Sequence, residues 1–420
     1  MSDVYFLFLF IAVIIFSGFA GQLIFKRTSL SDIILLMVLG LLLGPVLKVF
    51  PAEVIGLFRD SAPFLGSFTL AFIMFESGLR LNFHAVLKSL QSSTIFTALV
   101  FFLNLLFVTV ILSFLGWNFF AAMFVGAVFG GTSTAMVVHL VRKSSASEKT
   151  KILLEMESVI TDIFTITTAF VIIEAVSLKT INLQSIAQSI MGSFSIPIFA
   201  AAILALFWLK ALRDFTTTSK HQYLLTLAIL FFLFALVEYA KGNGAVAALV
   251  FGLVLGNASG IMAFLRMKQS SLDVSTVSVH SELTFFARTF FFIYIGIIFG
   301  LDAFSAEIVF VSIAAFAGMA LARFVAVKIL VFFNKGMRPD RLLISTTMSK
   351  GLAAAVMATY PASAGIDLGG FEKIIILLGF IIIFYSNVVS TIGLFVFEKQ
   401  AGLKTAKMPV SKGRIEEIKI

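Results

Sequence analysis

The sequence predicts an all-α membrane protein of about 13 transmembrane helices, arranged as inverted repeats with two discontinuous crossing helices, spans 5 and 12. Three observations predict this. Hydrophobic residues make up 60% of the chain and the mean hydropathy is +1.08, above what water-soluble domains carry. The charged residues, 13% of the total, cluster between long apolar runs. Two of those runs are interrupted at mid-depth by glycines and hydroxyl residues. A transmembrane barrel would instead need short alternating segments, which the sequence does not have.

The apolar runs lie near 4–25, 30–47, 61–79, 92–116, 118–141, 150–176, 183–209, 221–240, 244–264, 283–300, 305–333, 341–361 and 372–396. Each is long enough to cross a hydrocarbon core. The first lacks a basic leader and is too long for a signal peptide, so it reads as a retained helix. The seventh has room for a break at Pro197. The chain divides into a transmembrane domain, 1–397, and a short polar cytoplasmic tail, 398–420.

Charge asymmetry sets the orientation. With the N-terminus outside and the spans alternating, only Lys48, Arg59, Lys179, Lys241 and Lys373 of the 31 lysines and arginines fall on outer segments. Arg288, Arg323, Lys328 and Lys350 lie within spans, and the rest face the cytoplasm with the C-terminus. The net charge of +9 is therefore a topology device, with contact to anionic lipids secondary and nucleic acid excluded as a partner. The chain reads as a multi-pass protein of the cell membrane. Without cysteine, thiolate metal sites and cysteine nucleophiles are excluded. The histidines His84, His139, His221 and His280 are scattered, so a metalloenzyme is not expected and no cofactor is implied.

Glu76, Glu157 and Asp162 lie well within spans. An ionisable group at that depth costs at least ~2.5–3.5 kcal/mol on insertion scales, so it persists where it is paired, hydrated or used. Span 6 reads Glu155-Met-Glu157-Ser158-Val-Ile-Thr161-Asp162, with Asp162 near the midplane. Ser158 sits four residues before Asp162 on the same helical face, and Glu157 and Thr161 form a second such pair. Glu157 has a candidate partner in Arg323, which would keep it charged and fixed. An acid without a dedicated cation is driven toward its neutral form by desolvation, and it can then trade H+ for a metal cation. Asp162 is assigned that role, against the alternative of a structural ion pair.

Span 5 contains Phe129-Gly130-Gly131-Thr132-Ser133-Thr134, and span 12 contains Thr346-Thr347-Met-Ser349-Lys350-Gly351. If spans 1–6 and 8–13 are two halves, these interruptions occupy corresponding positions, as expected of an inverted-repeat transporter whose freed carbonyls coordinate an ion. Lys350 would offset the dipoles of the facing half-helix ends. Isolated glycines such as Gly252 and Gly256 are read instead as permitting close helix packing.

With these residues in place, the chain resembles the monovalent cation:proton antiporters, and among them the sodium/proton exchangers of the NhaP type. Glu157-Ser158-Val-Ile-Thr161-Asp162 is similar to that family's Glu-Ser-x-x-Asn-Asp, and Thr132, thirty residues earlier, stands at its fifth-span threonine. Leu39-Gly40-Leu-Leu-Leu-Gly44-Pro45, Phe75-Glu-Ser-Gly78-Leu79, the stretch from Gly244 to Asn257, and Ala322-Arg323 resemble its second, third, ninth and eleventh spans. The resemblance implies six core helices beside a dimerisation domain, homodimers, and alternating access by an elevator-like shift. It implies that Asp162 binds cation or proton, helped by Ser158 and Thr132, with Glu157 braced by Arg323. The transported ions are then Na+ (or Li+) and H+, and membrane lipids and a second copy are the partners. Three departures stand out. Thr161 replaces asparagine or aspartate, which leaves one carboxylate and makes electroneutral exchange the simplest stoichiometry. Ser349-Lys350-Gly351 stands where the exchangers have Arg-Gly, and Ser133 replaces an acid.

The alternative within transport is K+/H+ exchange at the same site. A channel would need a continuous pore with rings of like residues, and an intramembrane enzyme would need a serine–histidine or histidine–carboxylate cluster at one depth. Neither pattern is present.

Overall fold

A computed structural model of the protein describes residues 2–28, 31–50, 54–56, 61–81, 93–142, 144–177, 183–214, 219–240, 242–264, 274–300 and 304–406. Every regular element among them is a helix. In chain order they are α1 (Ser2–Thr28), α2 (Asp32–Leu41, prolonged by a π-turn over Leu42–Val46), α3 (Ala62–Arg80), α4 (Ser93–Phe114), α5 (Phe119–Val128), α6 (Thr134–Arg142), α7 (Glu148–Ser177) and α8 (Leu183–Asp214). They continue as α9 (Ser219–Tyr239), α10 (Gly244–Gly256), α11 (Ala258–Phe264), α12 (Val274–Ile297), α13 (Ala306–Phe333), α14 (Arg341–Thr346, after a 3-10 turn over Lys335–Asp340), α15 (Leu352–Ser363) and α16 (Glu372–Ala406).

The helices fall on the apolar runs, with informative differences. Four runs are divided or reshaped: α5 and α6 share one, α10 and α11 another, α14 and α15 a third, and α2 passes into a π-turn around Pro45. Six helices among the described residues are by themselves long and apolar enough to cross a membrane. The break considered at Pro197 is absent, and α8 runs through it. α12 begins at Val274, before the apolar run, and α16 continues to Ala406, beyond position 397. Residues 407–420 of the polar tail lie outside the described residues.

Two groups of helices emerge from the packing. One is α1, α2, α3, α8, α9, α10 and α12; the other is α4, α5, α6, α7, α13, α14, α15 and α16, with α15 also resting on α3. Glycines set the closeness in the first group. A Cβ at Gly78 would overlap the Leu249 carbonyl, and one at Gly252 or Gly256 would overlap the carbonyl of Phe75 or Leu79. Backbone therefore meets backbone between α3 and α10, the tight packing expected of Gly252 and Gly256. Gly40 and Gly44 seat α2 against α12 in the same way.

The surface is inside-out relative to a water-soluble protein. Phe16, Phe102, Phe199, Phe207, Phe332 and Phe395 are exposed, while Glu157, Ser158, Thr161, Arg323, Ser349 and Lys350 are buried. Such a shell has lipid as its solvent, and interior polar groups must then satisfy one another.

Candidate functional site

The site forms where two helices stop. α5 ends at Val128 and α6 starts at Thr134; α14 ends at Thr346 and α15 starts at Leu352. Each gap frees backbone groups that would cost several kcal/mol if left unsatisfied in an apolar setting. The gaps satisfy each other directly, because the Ser133 amide donates to the Ser349 carbonyl at 2.7 Å. The Lys350 ammonium donates to the Gly131 carbonyl at 2.8 Å. The Thr132 amide donates to Thr161 Oγ1 at 3.1 Å. On the other side, α16 supplies the missing partners: Ser390 Oγ accepts from the Met348 amide at 3.1 Å, and Ser386 Oγ accepts from the Lys350 amide at 3.0 Å. Asn387 Nδ2 donates to the Lys350 carbonyl at 2.9 Å.

Glycine is required at the first gap by space. A Cβ at Gly131 would lie 2.5 Å from Thr165 Oγ1 and 2.9 Å from the Thr161 carbonyl, so this residue lets the gap press onto α7.

α7 carries the acids. Its N-terminal end is anchored by the buried Asp340, which accepts from the Ser147 hydroxyl at 2.6 Å, the Ser147 amide at 3.1 Å and the Thr150 hydroxyl at 2.7 Å. A carboxylate at a helix start is favoured by the dipole and fills orphan donors. One turn of polar residues follows. Glu157 is fully buried and bound by both Nη atoms of Arg323, with Nη2 to Oε2 at 3.0 Å. Arg323 Nε donates to the Ile344 carbonyl at 2.8 Å. Thr161, buried, faces Thr132, their hydroxyls 3.4 Å apart.

Asp162 is only partly covered and makes no ion pair among the described residues. Its Oδ2 accepts from the Thr134 hydroxyl at 2.8 Å. Lys350 is near enough to feel the charges of Asp162, Glu157 and Arg323, yet its hydrogen bond goes to Gly131.

The structure thus brings together most of the residues the sequence singles out, with different partners for some. Glu157 meets Arg323, Ser133 meets Ser349, and Lys350 reaches the first gap. Ser158 and Thr132 make no hydrogen bond to the Asp162 carboxylate: the Ser158 hydroxyl donates to the Glu155 carbonyl of its own helix at 2.9 Å, and Thr132 engages Thr161. Thr134 contacts Asp162 instead. Sequence reasoning noted Thr134 only as part of the interruption and gave no role to Ser386, Asn387 and Ser390. Their signal was a polar stripe at i, i+1 and i+4 in an otherwise apolar run. Arg288 also has a partner that the sequence reading did not name, Asp32 at 2.8 Å.

No group of three or more histidine, cysteine, aspartate or glutamate side chains able to hold a metal occurs among the described residues. At Asp162 the structure joins one carboxylate to one hydroxyl oxygen, that of Thr134, both oxygen donors of the kind hard cations prefer.

A comparison with curated proteins finds no match. Among solved structures, the chain is similar to the sodium proton antiporter MjNhaP1 from Methanocaldococcus jannaschii at pH 8, at 19% identity and a TM-score of 0.75, covering 92% of this chain and 99% of that one. An electron-microscopy map of the same antiporter matches at 18% identity and a TM-score of 0.71, covering 97% of this chain and 98% of that one. At such identities the likeness concerns the fold. The sequence evidence is separate: the family model for the sodium/hydrogen exchanger, transmembrane, matches residues 9–398, and the chain belongs to that family.

Proposed function

We propose that this protein is a secondary active antiporter that exchanges Na+ (or Li+) for H+ across the cell membrane, with the two ions competing for Asp162. The observation that carries this reading is the contrast between two acids on one helix. Glu157 is neutralised by a dedicated arginine, whereas Asp162 has a neutral hydroxyl as its hydrogen-bond partner. A carboxylate in that position needs a mobile counter-charge, and either H+ or a small alkali cation can provide it, one at a time. Lys350, spent on the Gly131 carbonyl, steadies the gap beside the ion.

The rest of the proposal follows from the same frame. The two gapped segments are read as corresponding crossing helices of inverted repeats, whose freed carbonyl oxygens would help to hold the cation. The helix group that holds Asp162 shifts against the other group to expose the site alternately, within homodimers. The N-terminus is outside and the C-terminus cytoplasmic, with 1–397 as the membrane domain. Since Thr161 is not a second carboxylate, one cation leaves for each proton and exchange is electroneutral.

Reconstitution in vesicles with an imposed pH gradient tests this. Na+ and Li+ are expected to dissipate the gradient, and K+ is the competing outcome at the same site. Asp162→Asn is expected to abolish exchange in a protein that still folds, and wild-type rates in that variant would remove Asp162 from the mechanism. Clamping the membrane potential is expected to leave the rate unchanged; a strong voltage dependence overturns the stoichiometry alone.

A further inference from the structure

We propose that Thr134 decides how firmly Asp162 holds a proton against a cation, by donating its hydroxyl hydrogen to the ionised carboxylate and offering its oxygen to the ion. The inference rests on the reading of Asp162 as the exchange site and adds a residue and a role to it.

Thr134 is the first residue of α6, directly after the first gap. Its Oγ1 stands 2.8 Å from Asp162 Oδ2. A hydroxyl has one hydrogen and two lone pairs. While Asp162 is ionised, that hydrogen is used in a charge-assisted bond, and the lone pairs are left to face a cation seated on the carboxylate. When Asp162 takes a proton on Oδ2, two hydrogens compete for one axis and the threonine must turn into an acceptor. A proton on Oδ1 leaves the threonine bond in place but without its charge assistance, so in either case this contact by itself lowers the cost of the ionised, cation-ready carboxylate against the protonated one.

The other charged groups near Asp162 do not duplicate this contact. Lys350, in the second gap, is hydrogen-bonded to Gly131, and Glu157 on α7 and Arg323 on α13 are paired with each other. The neighbouring helices α4, α5 and α15 contain no Asp, Glu, Lys or Arg, and α15 contains Tyr360. His139 and Arg142 occur further along α6, and Lys210, Arg213 and Asp214 occur in the last two turns of α8. In the 3-10 turn that meets the start of α7, Asp340 is bound to Ser147 and Thr150, with Lys335 and Arg338 exposed beside it.

Thr134→Val keeps the shape and removes both the donor and the oxygen. A hydrogen bond to a charged group contributes about 1.5–3 kcal/mol, so the pH of half-maximal exchange is expected to move up by about one to two units. The apparent KM for Na+ is expected to rise, most steeply at the acid end, where proton competition is strongest. Thr134→Ser returns the hydroxyl and is expected to rescue both quantities. If valine prevents folding, as judged by gel filtration, Thr134→Ala is read in the same way. A valine or alanine variant that keeps the wild-type pH profile and KM, or a serine variant displaced as far as valine, overturns the role of Thr134. Asp162→Asn run in parallel separates the two claims. Its inactivity beside an unshifted Thr134→Val rejects this inference alone, and its full activity rejects the exchange site itself.

Discussion

Replacing Arg323 by alanine strands a buried charge. The guanidinium makes both of its Nη contacts to Glu157 and gives Nε to the Ile344 carbonyl, with the side chains of Arg323 and Glu157 only 3% and 1% exposed. Breaking a buried pair from one side costs about 3–5 kcal/mol, because the remaining ion is left in a medium that solvates it poorly. The orphaned Ile344 carbonyl adds about 1 kcal/mol or more. At about 2 °C per kcal/mol, a figure for large domains, the apparent melting temperature in detergent should fall by roughly 8–12 °C. Glu157→Gln combined with Arg323→Ala removes the stranded charge, so the double variant should be more stable than Arg323→Ala alone. Arg323→Lys should fall between, since lysine keeps the charge and loses the planar fork. Thermal unfolding followed by tryptophan fluorescence or by retention of monodispersity measures all of these. The reasoning is refuted if Arg323→Ala melts within about 2 °C of wild type, or if the double variant melts lower than Arg323→Ala.

Two further perturbations probe the packing around the site. Asn387→Ala leaves the Lys350 carbonyl without its side-chain donor and releases Ser31, whose hydroxyl lies 3.2 Å from Asn387 Oδ1. A loss of about 1–3 kcal/mol is expected, together with a raised KM for the cation as the second gap loosens; an unchanged melting curve and KM would show that the gap does not depend on this residue. Gly78→Ala drives a Cβ into the Leu249 carbonyl and to 2.6 Å from the Leu253 amide nitrogen. It should cost about 1–3 kcal/mol and reduce the yield of monodisperse protein. Gly66→Ala on the same helix, where Val356 Cγ1 at 3.9 Å is the nearest atom, should be silent. Equal effects from the two substitutions would contradict the close approach of α3 and α10.

Much of the architecture was readable in the sequence because a bilayer imposes simple rules. Apolar runs become helices. The Glu157–Arg323 pair was readable for a related reason. Two opposite charges at depth have few ways to be tolerated, so each implies the other. What stayed hidden is where the chain departs from regular geometry. Extending helical spacing along α7 places Ser158 beside Asp162, and that face is real, but a mid-helix serine can satisfy itself on a carbonyl three residues back, as Ser158 does on Glu155.

The same logic explains why Thr134, and not Thr132, reaches Asp162. Helical spacing holds only while the helix lasts, and α5 stops at Val128. From Phe129 to Ser133 the chain follows no fixed period, so the direction of each side chain depends on what the freed backbone bonds to. The Thr132 amide is held by Thr161, the Ser133 amide by Ser349, and the Gly131 carbonyl by Lys350. Those three tethers fix the path of the gap, and the next residue, Thr134, emerges against Asp162. None of the three is local: their partners lie on α7 and in the second gap, 29, 216 and 219 residues away. A residue's role at such a site therefore follows from the backbone bonds of its neighbours, and the polar stripe of α16 belongs to the same logic. Ser386, Asn387 and Ser390 make their bonds to the backbone of the second gap, and so hold the chain that does the shaping.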